Sequence, residues 1–266
     1  QKNQIALLTS GYSLTGSGDL TKKELHSKIY NNDCKIIIGT HALLNEKLHF
    51  QRLSLVIIDE QHRFGVAQRA FLQKQHTNDQ VPHLLSMSAT PIPRTLALSL
   101  FGNLEISQLI TIPKNRKSVL TKILHEDVRS IAYDKIRQEI AAGRQVFIIT
   151  PKVEQSETEV KSVKQEFERL QKLFPKYRIG LVHGSQKGND KESVMNDFYA
   201  HKLDILVATT VIEIGIDVPN ATVMLIEGAE NFGLAQLHQL RGRVGRGEAQ
   251  SYCYLFTTEE SQLETK

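Results

Sequence analysis

Short apolar runs that lead directly into polar residues recur along this 266-residue chain. The run Leu55–Ile58 is continuous and ends in Asp59 and Glu60, a pattern typical of a strand buried on both faces of a parallel sheet. Other such runs end near Gly39, Ser88 and Thr209. Because stretches with helical periodicity separate the runs, the sequence predicts an α/β fold with parallel sheets.

The predicted strands lie at 5–8, 35–38, 55–58, 84–87, 145–150, 178–182, 204–207, 222–226 and 252–256. The predicted helices lie at 21–30, 68–75, 94–101, 129–142, 156–174, 191–200 and 234–240. The Gly- and Ser-rich stretch 10–18 is predicted to be a surface loop. It lacks the Gly-Lys-Ser/Thr string that a phosphate loop needs, and no Walker A motif occurs elsewhere in the chain.

Two domains are predicted, at 1–112 and 119–266. Residues 113–118 have no periodicity and contain three cations and a proline, as expected of a linker. The strings I-I-I-G-T-H-A from Ile36 and I-L-V-A-T-T-V from Ile205 echo each other, which suggests a duplicated fold. The chain begins with Gln1 and runs at once into an apolar segment, so we expect it to be a fragment of a longer protein.

Composition restricts the functional classes. The two cysteines, Cys34 and Cys253, are far apart, which argues against a disulfide framework or a zinc site and favours a reducing compartment. No apolar run approaches the roughly 18 residues of a membrane span. A cytoplasmic protein is therefore expected. The net charge of +4 is compatible with a polyanionic partner but is weak evidence for one.

The acidic pair Asp59 and Glu60 is a candidate nucleotide site. Ligands of open α/β sheets bind at the carboxyl ends of the strands, and an aspartate there commonly holds the Mg²⁺ that binds nucleotide phosphates. Glu60 would then orient water. Taken alone, the pair is equally compatible with the start of a polar loop.

The segment from Gln239 to Arg246 is the second candidate. It reads Q-L-R-G-R-V-G-R, so that Arg243 and Arg246 are one helical turn apart and bracketed by glycines, and we expect them to project from the start of a helix. The forked, permanently charged guanidinium suits the spread-out charge of a transferring γ-phosphoryl group. The alternative is a nonspecific basic loop.

The ordered set D-E-Q-H, S-A-T, A-T-T-V-I-E-I-G-I-D and Q-L-R-G-R-V-G-R resembles that of superfamily 2 helicases. The longer strings D-E-Q-H-R-F-G-V and S-A-T-P-I-P-R-T-L-A-L-S-L-F-G resemble the RecG family of branched-DNA helicases, over essentially the whole chain. Transcription-repair coupling translocases share the P-I-P-R-T and R-G-R-V-G-R strings and are the near alternative.

The resemblance implies two RecA-like parallel-sheet domains, the first truncated at its N-terminus. It implies the motor portion of an ATP-dependent helicase that uses ATP and Mg²⁺ and remodels branched double-stranded DNA, at stalled forks and Holliday junctions, in recombination and repair. It further implies a monomeric, nucleoid-associated motor. Because the phosphate loop is missing, the chain alone is expected to be inactive. A degenerate helicase fold that serves as a nucleic-acid-binding scaffold is the non-enzymatic alternative.

The resemblance also assigns roles to individual residues. Catalytic roles fall on Glu60, Gln239, Arg243 and Arg246. Nucleotide binding falls on Asp59, which also holds the metal, and on His62, Gly215 and Asp217. Contacts to the DNA backbone fall on Gly39, Thr40 and Thr209. Coupling of hydrolysis to movement falls on Gln61, Ser88 and Thr90.

Thr40 and Thr209 occupy equivalent positions in the two echoing strings, each two residues after a predicted strand. A threonine hydroxyl can donate to a phosphate oxygen, so we expect the pair to grip one DNA strand at two points. The alternative is that both threonines cap the helices that follow them.

Overall fold

The computed structural model describes residues 4–45, 47–60, 81–88, 105–111, 116–151, 156–209 and 218–257. The chain divides into two compact units, Gln1–Pro91 and Ile92–Lys266, called the first unit and the second unit below. The predicted linker 113–118 is described only from residue 116 onwards. The predicted domain limits at 112 and 119 therefore stay a prediction.

The first unit contains a four-stranded sheet. In this sheet β1 (Ile5–Leu8) pairs in parallel with β4 (Ile36–Gly39) and antiparallel with β2 (Ser13–Thr15), which pairs with β3 (Gly18–Asp19). The prediction of a surface loop at 10–18 is therefore wrong. This stretch forms a hairpin because its backbone donors and acceptors find partners along β1.

Helix α1 (Lys22–Tyr30) begins with a reciprocal cap. The Glu24 amide donates to Thr21 Oγ1 over 3.3 Å, and the Thr21 amide donates to Glu24 Oε2 over 2.8 Å. This arrangement satisfies amide groups that a helix start leaves without intrahelical partners. Leu25 and Ile29, one turn apart, are buried against the sheet core. The helix predicted at 21–30 is confirmed.

A second, two-stranded parallel sheet in the first unit joins β5 (Leu55–Ile58) to β6 (His83–Ser86). Val56 and Ile58 are buried, but Leu55 and Ile57 are 51% and 57% exposed. The prediction that this strand is buried on both faces is thus wrong for the described residues. Successive side chains of a strand point to opposite faces, and the described apolar neighbours cover only one of them.

The second unit is built on a six-stranded sheet in which every pair is parallel. Its spatial order is β7-β12-β11-β8-β10-β9. The strands are β7 (Leu120–His125), β8 (Gln145–Ile149), β9 (Ile179–Val182), β10 (Ile205–Ala208), β11 (Ala221–Ile226) and β12 (Tyr252–Thr257). The central strands β8, β10 and β11 are buried throughout, as the almost entirely apolar strands of a parallel sheet should be.

Strand β7 was not predicted, and it forms the edge of the sheet beside β12. The helices of this unit are α2 (Arg129–Ala141), α3 (Ser156–Leu173), α4 (Gly188–Tyr199) and α5 (Leu234–Arg241). The helices predicted at 68–75 and 94–101 lie outside the described residues. Of the helices described, none has both the length and the apolar character needed to cross a membrane.

A buried carboxylate ties α2 to the sheet. Glu139 is 4% exposed and accepts hydrogen bonds from Thr222 Oγ1 at 2.8 Å and Arg144 Nη1 at 2.6 Å. Lys135 Nζ lies 2.9 Å from its other oxygen. Burial opposes ionisation of Glu139, but these three partners outweigh it and hold its pKa below the ordinary value.

Candidate functional site

The acidic pair and Ser88 lie at one edge of the first unit. The register of β5 and β6 pairs Ile58 with Ser86, and the Met87 amide continues the pairing by donating to the Ile58 carbonyl over 2.8 Å. Asp59 and Glu60 follow one strand, and Ser88 follows the other by two residues. Two predicted site elements that are nearly thirty residues apart in sequence are thus brought together at a sheet edge where ligands commonly bind.

The backbone at this edge adopts an unusual conformation. Glu60 has φ of 50°, in the left-handed region, and its amide donates to Asp59 Oδ1 over 2.9 Å. Such a conformation costs a residue with a side chain about 1–2 kcal/mol. Strain of this kind concentrates at functional sites. The hydrogen bond orients the exposed Asp59 carboxylate, and Glu60 itself is half-buried.

Gly39 is the last residue of β4, in the first unit's other sheet, and Thr40 directly follows it. A Cβ on Gly39 would collide with the Leu8 carbonyl oxygen and lie 2.8 Å from Leu43 Cγ, so packing alone requires glycine here. Thr40 occupies the N-cap position of the short 3-10 helix His41–Leu44, but its side chain makes no capping hydrogen bond. Its hydroxyl is on an exposed residue. The capping alternative is therefore disfavoured for Thr40.

The second unit places three polar residues at adjacent strand ends. Thr150 follows β8, His183 follows β9 and Thr209 follows β10, and the spatial order of these strands is β8-β10-β9. All three residues are at least 94% buried. Thr150 Oγ1 and Thr209 Oγ1 have no hydrogen-bond partner within the part of the chain that the structure describes. Native proteins rarely leave buried hydroxyls in this state.

Of these three residues, the sequence prediction included only Thr209. Thr150 and His183 were missed, although Thr150 is the last residue of the predicted strand 145–150 and His183 directly follows the predicted strand 178–182. The position of Thr209 close to the end of a predicted strand is a similar signal. The neighbouring strand end shows the contrast: Glu227, after β11, accepts two hydrogen bonds from Arg129 at 2.6 and 2.8 Å. That pair serves to join α2 to the sheet.

The arginines lie after a helix end, so the expectation of a helix start is wrong. Helix α5 contains Gln239 and ends at Arg241, and the Gly242 amide closes it by donating to the His238 carbonyl over 3.0 Å. Cations are favoured near a helix carboxyl terminus, because the unpaired carbonyls there carry partial negative charge. Arg243 and Arg246 therefore lie where the partial negative charge of the helix terminus stabilises positive charge.

The segment after α5 is fixed in place. Val244 is fully buried, whereas Arg243 is half-buried and Arg246 is exposed. Arg246 Nε donates to the Gly242 carbonyl over 3.2 Å, which folds the side chain back over the turn. Gly245 has φ of +76°, a conformation that glycine adopts far more readily than other residues. The arginine heads are therefore presented from a rigid turn.

The remaining predicted site residues lie outside the described part of the chain; they are Gln61, His62, Thr90, Gly215 and Asp217. Among the described residues there is no group of three or more His, Cys, Asp or Glu side chains arranged to hold a metal ion. The exposed Asp59 carboxylate does fit the way in which proteins usually hold Mg²⁺, through one or two carboxylates together with phosphate and water oxygens.

Two families match this chain. DEAD/DEAH box helicases match residues 3–98, and the helicase conserved C-terminal domain matches residues 127–248. The chain is 51% identical to the ATP-dependent DNA helicase RecG of Synechocystis over 251 residues, which is 93% of this chain and 30% of that protein. It is 44% identical to RecG of Bacillus subtilis over 260 residues, covering 97% of this chain and 37% of the relative.

Solved structures of helicases are also similar to this chain. A RecG bound to a three-way DNA junction matches 96% of this chain and 32% of its own, with 42% identity and a TM-score of 0.69. The DEAD-box helicase Mss116, bound to single-stranded RNA, matches 98% of this chain and 54% of its own, at 19% identity and a TM-score of 0.64. The second match shows a shared fold only, with RecA-like domains as expected. The chain is thus a homologue of the RecG helicases that spans about a third of their length and joins a DEAD/DEAH box region to a helicase C-terminal domain.

Proposed function

We propose that this chain is the motor part of an ATP-dependent helicase that remodels branched DNA in recombination and repair. The observation that carries the proposal is the convergence of Asp59, Glu60 and Ser88 at one strand edge. That edge belongs to a chain 42% identical to a RecG seen on a three-way DNA junction. The chain spans about a third of the length of these relatives. We therefore assign the helicase activity to a full-length protein that contains these 266 residues.

The acidic pair performs the nucleotide chemistry in this proposal. Asp59 would contribute a carboxylate ligand to Mg²⁺, which would neutralise charge on the β- and γ-phosphates. Glu60 would accept a proton from the attacking water or orient it. The Asp59 carboxylate accepts a hydrogen bond from the Glu60 amide. Both side chains therefore leave the end of the strand from a fixed turn.

Arg243 and Arg246 supply the charge that stabilises the transferring phosphoryl group. The exposed Arg246 head is the better placed of the two to meet a ligand directly, since Arg243 is half-buried. Removing an arginine that contacts the γ-phosphate in this way costs about 10³-fold or more in rate. Gln239, on the last turns of α5, lies beside them.

The threonines supply hydrogen bonds to the DNA backbone. Thr40 is exposed and makes no cap, so its hydroxyl can meet a phosphate oxygen as the structure stands. Thr209 is fully buried, so a contact with DNA requires the residues that cover it to move. Thr150 follows the adjacent strand β8, and its hydroxyl is likewise buried without a hydrogen-bond partner among the described residues. We include it among the residues proposed to contact the DNA backbone.

The other roles implied by the family likeness also stay proposals. Gln61, Ser88 and Thr90 would couple hydrolysis to movement, and His62, Gly215 and Asp217 would contact the nucleotide. The motor would act as a monomer in the cytoplasm, on nucleoid DNA. The identity to RecG proteins favours this function over a transcription-repair coupling translocase. The acidic pair and the arginines favour an enzyme over a scaffold, which has no need of them.

The test uses the full-length protein with a three-way DNA junction and with linear duplex of equal length. We expect ATP-dependent strand separation of the junction, faster ATP hydrolysis on the junction than on the duplex, and no separation with a non-hydrolysable ATP analogue. Equal activity on both DNAs would point to a translocase without preference for branches. Binding of the junction with no ATP hydrolysis would support the scaffold instead.

A further inference from the structure

The turn that carries Arg243 and Arg246 is held from outside by the segment that precedes β7. Arg116 Nε donates to the Gly245 carbonyl over 2.8 Å, across 129 residues of sequence. A Cβ placed on Gly245 would lie 2.7 Å from Val119 Cγ2, so Val119 packs directly on the backbone of the turn. The two contacts fix one peptide group, the one that joins Gly245 to Arg246.

The same segment is attached again just beyond the turn. Gln250 Nε2 donates to the Ser118 carbonyl over 2.8 Å, and the Leu120 amide donates to the Ser251 carbonyl over 2.9 Å. From there β7 and β12 continue as a parallel pair. Residues 116–119 therefore run along 245–251 as an irregular extension of the sheet edge.

We propose that Arg116 is a positioning residue for the arginines of this turn. The Gly245 carbonyl and the Arg246 amide belong to one planar peptide group, so a donor that fixes the carbonyl also fixes the positions of the Arg246 amide and Cα, from which the Arg246 side chain leaves the backbone. This inference rests on the proposed function, in which Arg246 contacts the γ-phosphate. It adds a residue that touches neither nucleotide nor DNA.

The chemistry of Arg116 suits this role. Its planar, always-charged guanidinium gives a charge-assisted hydrogen bond through Nε in a fixed direction. A lysine ammonium in its place offers rotatable donors on a flexible stem and cannot set the carbonyl direction as well. Arg116 also lies in the stretch between the first unit's last described strand and β7.

The test compares Arg116→Ala and Arg116→Lys with Lys117→Ala in the full-length protein. Lys117 is the adjacent exposed cation of the same segment, so its loss reproduces the change in charge but not the loss of the contact with Gly245. The readouts are kcat and KM for DNA-stimulated ATP hydrolysis, junction affinity and thermal melting. We expect kcat to fall about tenfold for Arg116→Ala, because a misplaced Arg246 loses about 1.4 kcal/mol of its contact with the γ-phosphate in the transition state. KM and junction affinity should stay within about twofold of the parent values.

Arg116→Lys should lose less than Arg116→Ala, and Lys117→Ala should match the parent. The decisive comparison combines Arg116→Ala with Arg246→Ala. If Arg116 acts through Arg246, the double variant is no slower than Arg246→Ala alone, because the group to be positioned is already gone. A further tenfold loss in the double variant, or a parent kcat in Arg116→Ala, overturns the proposal.

The controls separate this inference from the proposed function. Parent-like hydrolysis by Arg246→Ala refutes the role of Arg246 in the proposed function itself. Normal Arg116→Ala kinetics together with a damaged Arg246→Ala enzyme refutes only the positioning role. If Arg116→Ala melts below the assay temperature, the Arg116→Lys variant decides: an intact melting point with lowered kcat supports positioning, and an intact kcat contradicts it.

Discussion

Replacing Thr209 by Val should stabilise the second unit. Thr209 is fully buried, and its hydroxyl has no partner among the described residues. Burying such a hydroxyl costs about 1–3 kcal/mol, and valine keeps the shape of the side chain while replacing the hydroxyl by a methyl group. We therefore expect the free energy of unfolding to rise by about 1 kcal/mol, which corresponds to a melting temperature about 2–4 °C higher for a unit of this size.

Thr222→Val is the matched control. Thr222 is 2% exposed and lies in the same sheet, but its hydroxyl donates to Glu139 Oε2 over 2.8 Å. The same substitution there removes a hydrogen bond to a buried charge, so the free energy of unfolding should fall by about 1.5–3 kcal/mol. Urea denaturation followed by circular dichroism measures both changes. Opposite signs for the two variants are the expected result.

The result also decides between the two interpretations of Thr209. A helix cap would make Thr209→Val destabilising by about 1 kcal/mol, because a backbone amide would lose its acceptor. That outcome would refute the reasoning, since the hydroxyl would then be satisfied in the folded state. If Thr209→Val is instead as stable as the parent or more so, the same variant of the full-length protein should show weakened coupling of ATP hydrolysis to DNA movement. Thr40→Val should do likewise without a change in stability.

Three further predictions concern the chain itself. Glu139→Gln should lower the free energy of unfolding at pH 7 by about 3 kcal/mol, because it breaks a buried charge cluster. Since the pKa of Glu139 is lowered by folding, its contribution is present above the ordinary value of 4.5 and is lost as the pH falls through the folded-state pKa, so the deficit should shrink between pH 7 and pH 3. Burial raises the pKa of the Cys253 thiol to about 12, and it also raises the pKa of the buried Cys34 thiol, so a thiol reagent at pH 8 should label neither until denaturant is added. These 266 residues alone should release no phosphate from ATP above background, even with branched DNA, because they contain no phosphate-loop lysine.

The sequence predicted the structure best where the local pattern of apolar residues matches their burial in the folded protein. The fully buried strands β8, β10 and β11 are almost entirely apolar, and their boundaries were predicted to within one residue. The polar residues at their carboxyl ends follow from the same pattern. The parallel α/β class was predictable for this reason, as was the position of Asp59 and Glu60 at a strand end.

The missed elements depend on partners far away in sequence. Strand β7 reads L-T-K-I-L-H and is half-exposed at the sheet edge. Among the described strands it pairs only with β12, about 130 residues later. Nothing local distinguishes such a strand from a linker. The hairpin β2–β3 likewise forms because β1 offers an unpaired edge. The contact between Arg116 and Gly245 arises in the same way, since it exists only once β7 lies beside β12.

The measurement that tests the account most directly is ATP turnover by Glu60→Gln in the full-length protein on a three-way junction. Asp33→Asn, which changes an exposed carboxylate elsewhere in the first unit, is the control. If Glu60 acts on water, ATP affinity should stay within about twofold while turnover falls by at least about 10²-fold, and junction remodelling should stop with it. Hydrolysis and remodelling at the parent rate by Glu60→Gln would contradict the assignment of this strand edge as the site of ATP hydrolysis.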